Sequence, residues 1–324
     1  MKNTILILSD ADIKGLEITF ADVFQVITDV LIEHGKKAVI MPPKFGVHPS
    51  KGAHCNAMPA YVDKIKALGI KWVSGFPDNP MKGYPYIIGT LIINDAETGA
   101  PVAIMEASWI TAMRTAAVAG LTAKCLAKKQ AETLGLVGTG VQGRFGLEAI
   151  LYAMPDLKRI KLYDINRTSM EQCAALIRSK NHVEVTCEFS AEKALRDSDI
   201  MVTATSFVEK PYVKSEWLRR GDVGVLVHHR GWENASFYRA DKIVVDDRNQ
   251  TKAYGMEDGG FYGDIPEFYC ELGEILAGIK IGREKDDEMI IAITCGLAIE
   301  DLAMGRMIYE KAVSKNIGTS VLFR

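Results

Sequence analysis

Residues 132–166 read ETLGLVGTGVQGRFGLEAILYAMPDLKRIKLYDIN, and the order of signals in this stretch decides the fold. A short apolar run, Thr133 to Val137, is compatible with a buried strand and breaks directly into Gly138-Thr139-Gly140-Val141-Gln142-Gly143, after which a helical pattern begins. Gly138 permits a tight turn off the strand, Gly140 lets the backbone approach a pyrophosphate, and Gly143 allows close packing of helix on sheet. Phosphate charge would then meet a helix N-terminus. A second apolar run, 160–163, ends in Asp164, about 20 residues beyond the glycines, where an acid can accept the ribose hydroxyls of a dinucleotide. The same carboxylate would repel a 2′-phosphate, so NAD is expected over NADP, although Arg167 nearby keeps NADP open. A glycine-rich turn followed by an unrelated surface aspartate is the alternative reading.

Outward from this stretch, strand and helix patterns alternate. Candidate strands at 134–137, 160–163, 183–187, 200–204, 223–227 and 243–246 predict an α/β fold with a Rossmann-type, doubly wound parallel sheet. The fourth of these ends in Thr203-Ala204-Thr205-Ser206 at the carboxyl edge, where small residues would leave room for the nicotinamide side of a cofactor; a plain polar loop is the other possibility. After the fifth comes Val227-His228-His229-Arg230-Gly231-Trp232-Glu233. Adjacent histidines on a strand point to opposite faces, so at most one faces a ligand. The segment 286–315 carries apolar residues on nearly every face and reads as a largely buried helical region that returns to the N-terminal part.

The first third has a different character. Strand, helix and strand are expected at 5–8, 20–33 and 38–41, with Gly35 ending the helix, followed by a loop rich in proline and glycine and an extended run at 57–62. Segments 84–94 and 100–107 read as a hairpin around Asp95-Ala96-Glu97-Thr98-Gly99. This is an α+β unit. Lys71 lies between apolar neighbours in a short strand: it either points to solvent or points inward and needs an anionic partner. Arg114 sits near the first turn of an alanine-rich helix at 110–127, where the macrodipole does not favour a cation. A surface salt bridge and recognition of an anion are both open for it.

The 324 residues are 48% hydrophobic and 25% charged, enough for two ordinary cores. A formal charge of −2 without a Lys/Arg block argues against nucleic acid or an anionic membrane as partner. No apolar run approaches the roughly 18 residues of a membrane span and no secretory leader pattern opens the chain, so a cytoplasmic location is expected. Six scattered cysteines without CxxC or Cys/His spacing favour free thiols and no metal site.

Taken together, PPKFGVHP (42–49), NAMPAYV (56–62), GIKWVSGFPDNP (69–80), NDAETGAPVAIMEA (94–107), ITAMRTAA (110–117), LGLVGTGVQG (134–143), TATS (203–206), ELGEILAG (271–278) and GLAIEDLA (296–303) resemble the ornithine cyclodeaminase/mu-crystallin family, with its alanine dehydrogenase and ketimine reductase relatives. The resemblance runs through essentially the whole chain. It implies a homodimer in which 1–115 with 296–324 forms a substrate-binding and dimerisation domain beside a Rossmann domain at 116–295. It also implies that Lys44, Lys71 and Arg114 hold the carboxylate of an amino or imino acid, with Lys71 and Arg114 as the catalytic pair and Met58, Tyr86 and His229 completing the substrate wall. The cofactor would lie against Thr115, Gly138 to Gly143, Asp164, Arg167 and Ala204 to Ser206. Lys44 stands where arginine is frequent, and Tyr86 where a small hydroxyl residue is frequent. The aspartate that cyclodeaminases carry after the fifth Rossmann strand is absent. The expected activity is therefore NAD(P)-dependent interconversion of an amino acid with its imino or 2-oxo form. Ornithine cyclodeamination to proline and non-enzymatic cofactor binding are the alternatives.

Overall fold

A computed structural model describes residues 4–206, 208–227, 230–256 and 264–323. The chain divides into two compact units, the first made of 1–114 with 296–324 and the second of 115–295.

The first unit opens with β1 (Thr4–Leu8), α1 (Asp10–Gly15), α2 (Phe20–Gly35), β2 (Val39–Ile40), β3 (Phe45–Val47), β4 (His54–Val62), β5 (Ala67–Gly75), β6 (Ile87–Asn94) and β7 (Pro101–Glu106). Helix α3 (Ser108–Leu126) begins in it and continues in the second unit. Ser9 and Thr19 start α1 and α2 with reciprocal capping boxes to Asp12 and Asp22, satisfying backbone donors that the first turn leaves unpaired. In α2, Val23, Ile27, Val30, Leu31 and His34 are buried at helical spacing, forming one core-facing stripe. Gly35 is the last residue of this helix, as expected. The left-handed position that reverses the chain is not the glycine but Lys37 (φ 60°), after the Lys36 and Lys37 amides close on the Ile32 and His34 carbonyls.

In the second unit, β8 (Thr133–Val137), α4 (Val141–Ala153), β9 (Arg159–Tyr163), α5 (Arg167–Lys180), β10 (Glu184–Cys187), α6 (Ala191–Leu195), β11 (Ile200–Thr203), β12 (Val223–Leu226), α7 (Asn234–Arg239), β13 (Lys242–Val245), α8 (Arg248–Met256), β14 (Cys270–Glu271), α9 (Leu272–Leu276) and β15 (Ile290–Ile293) follow. Every pairing in this sheet is parallel, in the order β10-β9-β8-β11-β12-β15-β13-β14. The expected sixth strand at 243–246 is present as β13, but it does not pair with β12. Ile290–Ile293 lies between them. The reading of 286–315 as one helical region was wrong at its start: IIAI is an isoleucine-rich apolar run buried at every position, and such a run has no periodicity to separate a central strand from a buried helix.

The chain then returns to the first unit as α10 (Ala298–Lys315) and the edge strand β16 (Thr319–Leu322). The first unit's sheet has the order β16-β1-β7-β6-β5-β4-β2, with β3 also on β4. Helix α10 packs against β4, β5, β6 and α2. It comes close because Gly305 faces Leu91 and Ile93; a Cβ there would run into the Leu91 side chain. No helix among the described residues is long and apolar enough to cross a membrane.

Candidate active site

In the second unit the sheet changes direction between β8 and β11, which are adjacent in space while β9 and β10 extend the other way. Such a switch point opens a crevice at the carboxyl edge of the strands. The loop after β8 occupies that edge. Gly138 has φ +96°, and a Cβ on it would stand 2.7 Å from the Ala204 backbone, so the turn and the 203–206 loop are packed backbone to backbone. A Cβ on Gly143 would collide with the Gly138 carbonyl, which keeps α4 tight on β8. Gly140 is different: nothing lies within 4 Å of its Cβ position, and it is the N-cap of the 13-residue α4 without a side-chain cap. Open space and unpaired amides at one point are what a pyrophosphate needs, so the three glycines fit a dinucleotide.

Asp164 holds this loop. Its Oδ2 accepts the Thr139 amide at 2.6 Å and the Thr139 hydroxyl at 3.0 Å, and its Oδ1 accepts the Asn166 amide at 2.8 Å. Arg167 is 80% exposed and paired with Glu171 on α5. Val141 and Gln142 open α4, and Val141 is exposed. Beyond Ala204, Thr205 Oγ1 lies 3.4 Å from the Tyr212 hydroxyl, while the buried Trp232 indole donates to Thr203 Oγ1 at 3.0 Å. Thr115 is half-buried on α3 and Ser206 is exposed. His228 and His229 lie outside the described residues, so the expectation for His229 has no structural counterpart.

In the first unit Lys71 points inward and is 0% exposed. Its register partners across the sheet are Met58 on β4 and Leu91 on β6, both buried. The anionic partner that an inward lysine requires is Asp301, whose Oδ2 lies 2.6 Å from Lys71 Nζ; Thr111 Oγ1 accepts from the same ammonium at 3.3 Å. Arg114, in the second turn of α3 rather than the first, donates from Nε to Asp301 Oδ1 at 3.2 Å and from Nη1 to Glu300 Oε2 at 3.0 Å. The guanidinium packs against Gly296, which has φ +82° and whose Cβ position the Arg114 side chain occupies. Lys44 is half-buried just before β3, and its positive charge bears on Lys71. Tyr86 is half-buried, its carbonyl accepting the Phe76 amide.

The Lys71 ammonium is pushed down to about 8. Burial is the largest cause, Asp301 opposes it, and the Arg114 and Lys44 charges reinforce it. An amine poised there exchanges a proton near neutral pH, as a general acid or base must. Among these five charged groups, three cations face two carboxylates, leaving one positive charge.

Glu300, Asp301, Thr111 and Gly296 were not singled out as site residues from sequence. A usable signal existed: two consecutive acids in the first turn of a helix, flanked on both sides by apolar residues (Leu297 to Ile299 and Leu302 to Met304) and following shortly after Gly296. Lone buried carboxylates are costly, so such a pair implies cations opposite.

The chain belongs to the ornithine cyclodeaminase/mu-crystallin family, whose sequence pattern matches residues 5–316. It is 33% identical to an alanine dehydrogenase of Archaeoglobus fulgidus over 98% of both chains. Among solved structures, the Delta(1)-pyrroline-2-carboxylate reductase of Thermococcus litoralis in complex with NADH and L-proline is 31% identical, with a TM-score of 0.87 over 98% of this chain and 100% of that one. An archaeal alanine dehydrogenase dimer with bound NAD is also 31% identical, with a TM-score of 0.87 over 99% of this chain and 100% of that one.

Proposed function

We propose that this protein is an NAD-dependent oxidoreductase that interconverts an amino acid with its imino or 2-oxo acid. The observation that carries the reading is the buried Lys71, whose ammonium is poised to exchange a proton beside the Arg114 guanidinium, in a chain whose second unit has the glycine geometry of a dinucleotide loop. Relatives named for alanine oxidation and for pyrroline-2-carboxylate reduction support it.

Arg114 and Lys44 orient the substrate carboxylate, because a guanidinium and an ammonium from separate segments define both its position and its plane. Lys71 moves the proton at the substrate nitrogen. A nicotinamide dinucleotide held by the glycine loop would supply or accept the hydride. In the reductive direction an imine, NADH and one proton yield an amine and NAD. Lys71 Nζ gives up the proton as the substrate carbon gains the hydride pair. Asp164 would accept ribose hydroxyls while continuing to hold Thr139.

The protein works as a homodimer. On the sheet face opposite Lys71, Phe45, Val47, Trp72 and Ile88 are 61, 59, 45 and 37% exposed. Register places Phe45 beside Ala57 and Trp72, and Val47 beside Cys55, Ser74 and Ile88. An apolar band of this kind is a surface that a second copy covers, and one relative is described as a dimer. Trp72→Glu is expected to give monomers by sedimentation; an unchanged dimer would move the interface elsewhere.

The functional test is a screen of amino acids with NAD, and of 2-oxo acids plus ammonia or methylamine and Δ1-pyrroline-2-carboxylate with NADH, read at the reduced nicotinamide band. Turnover in either direction is expected. Conversion of L-ornithine to proline and ammonia without NADH accumulation would replace the oxidoreductase with a cyclodeaminase.

A further inference from the structure

Asp301 is fully buried and touches both cations, Lys71 through Oδ2 and Arg114 through Oδ1. Glu300 is placed differently: its Oε2 accepts the Leu297 amide at 3.2 Å as part of the cap that starts α10, besides accepting Arg114. One acid thus holds the helix start while the other bridges the cations. The first turn of a helix favours a carboxylate at both positions.

Resting on the reading that Lys71 and Arg114 meet the substrate, we propose that Asp301 is a positioning residue: it clamps the Lys71 ammonium and the Arg114 guanidinium together and keeps on Lys71 the proton that goes to the substrate nitrogen. The described groups around Lys71 show what Asp301 adds. From α3, Arg114 brings a positive charge, itself paired with Glu300, and Thr111 a hydroxyl; from the segment before β3, Lys44 brings another positive charge; from α10, Asp301 brings the negative charge that, among the described residues, lies directly on the ammonium and opposes the loss of its proton. Removal of Asp301 leaves a buried ammonium facing two cations, and such an amine discharges. The step balances without any further reactant. The N–H bond breaks at Lys71 and forms at the imine nitrogen, the hydride pair reduces the carbon, and the neutral lysine takes a proton back from solvent.

The test uses the full-length holoenzyme with Asp301→Asn, which keeps the shape and removes the charge. Two readouts are combined. The first is the titration of Lys71 followed by NMR of [ε-13C]lysine-labelled protein, the signal being assigned by its loss in Lys71→Met. The expected midpoint is near 8 in the parent chain and at least about one unit lower in Asp301→Asn. The second is the pH profile of Δ1-pyrroline-2-carboxylate reduction. Its alkaline limb is expected to move down with the titration, so that activity at pH 8 falls about fivefold more than at pH 6, because a one-unit shift takes the protonated fraction at pH 8 from about a half to about a tenth and leaves it nearly complete at pH 6. Asp301→Glu, which restores the charge, should return most of that limb. Thr111→Val removes the lysine's other partner and should leave the limb in place, a comparison that serves even where Asp301→Asn does not fold. An unmoved titration, a uniform loss at every pH, or an equal shift in Thr111→Val would overturn the proposal. Absence of turnover in the parent chain alongside a shifted titration would overturn the functional reading and leave the hold of Asp301 on the Lys71 proton standing.

Discussion

The glycine loop at 138–143 and the ionic cluster around Asp301 are built in opposite ways. The loop is local: Thr139 and Asp164 are 25 residues apart, and what they stabilise is backbone. At Gly140 it leaves space unfilled. The cluster joins Arg114 to Asp301 across 187 residues and takes four charged side chains out of water. A buried pair in good geometry gains little over an apolar one, yet breaking it is expensive because the survivor keeps its charge without a partner. Changes in the loop should therefore affect ligand binding while sparing the fold, whereas changes in the cluster should affect both.

The largest effect is expected from Lys71→Met, which keeps the volume but leaves Asp301 with Arg114 alone in a dry site. Stability measured by urea unfolding should fall by about 3–5 kcal/mol, and turnover should vanish. A loss below about 1 kcal/mol would mean that Asp301 is protonated or rearranged, and the contrast between the regions would fail.

Arg114→Lys comes next. A point ammonium cannot reproduce the two donor edges that meet Glu300 and Asp301 while orienting a carboxylate, so kcat/KM should drop by roughly a hundredfold. Affinity for NAD, measured by fluorescence titration, should stay the same. Equal damage to both would merge the two regions into one.

Gly140→Ala is the sharpest test of the loop. With φ −66° and no atom near the Cβ, alanine fits the unliganded chain, and stability should hold within about 0.5–1 kcal/mol. The added methyl stands where the pyrophosphate must approach, so the dissociation constant for NAD should rise about tenfold or more. Unchanged affinity would place the dinucleotide elsewhere.

The smallest effect concerns cofactor choice. The parent chain should bind NAD more tightly than NADP, and Asp164→Ala should narrow that preference about tenfold by removing the repulsion toward a 2′-phosphate. Because the same carboxylate holds Thr139, some loss of NAD affinity should accompany it. A parent chain that prefers NADP would assign Asp164 to the loop alone.

Sequence by itself determined the second unit's strand–loop–helix start, its parallel sheet and the glycine loop, because these depend on short-range requirements: φ at Gly138, clearance at Gly140, contact at Gly143. It also marked Lys71 and Arg114 as anomalies that burial would have to resolve. It did not reveal that Ile290–Ile293 is a central strand, since a run buried on both faces has no period to read. Nor did it name the partners of the two cations. Glu300 and Asp301 become partners only when α10 returns across the first unit's sheet and Gly305 lets it settle onto Leu91 and Ile93. Whether a carboxylate 230 residues from a lysine is a solvated charge or its counter-ion depends on where the chain crosses itself, and that is settled by tertiary packing because electrostatic pairing acts through distance in space and not along the sequence.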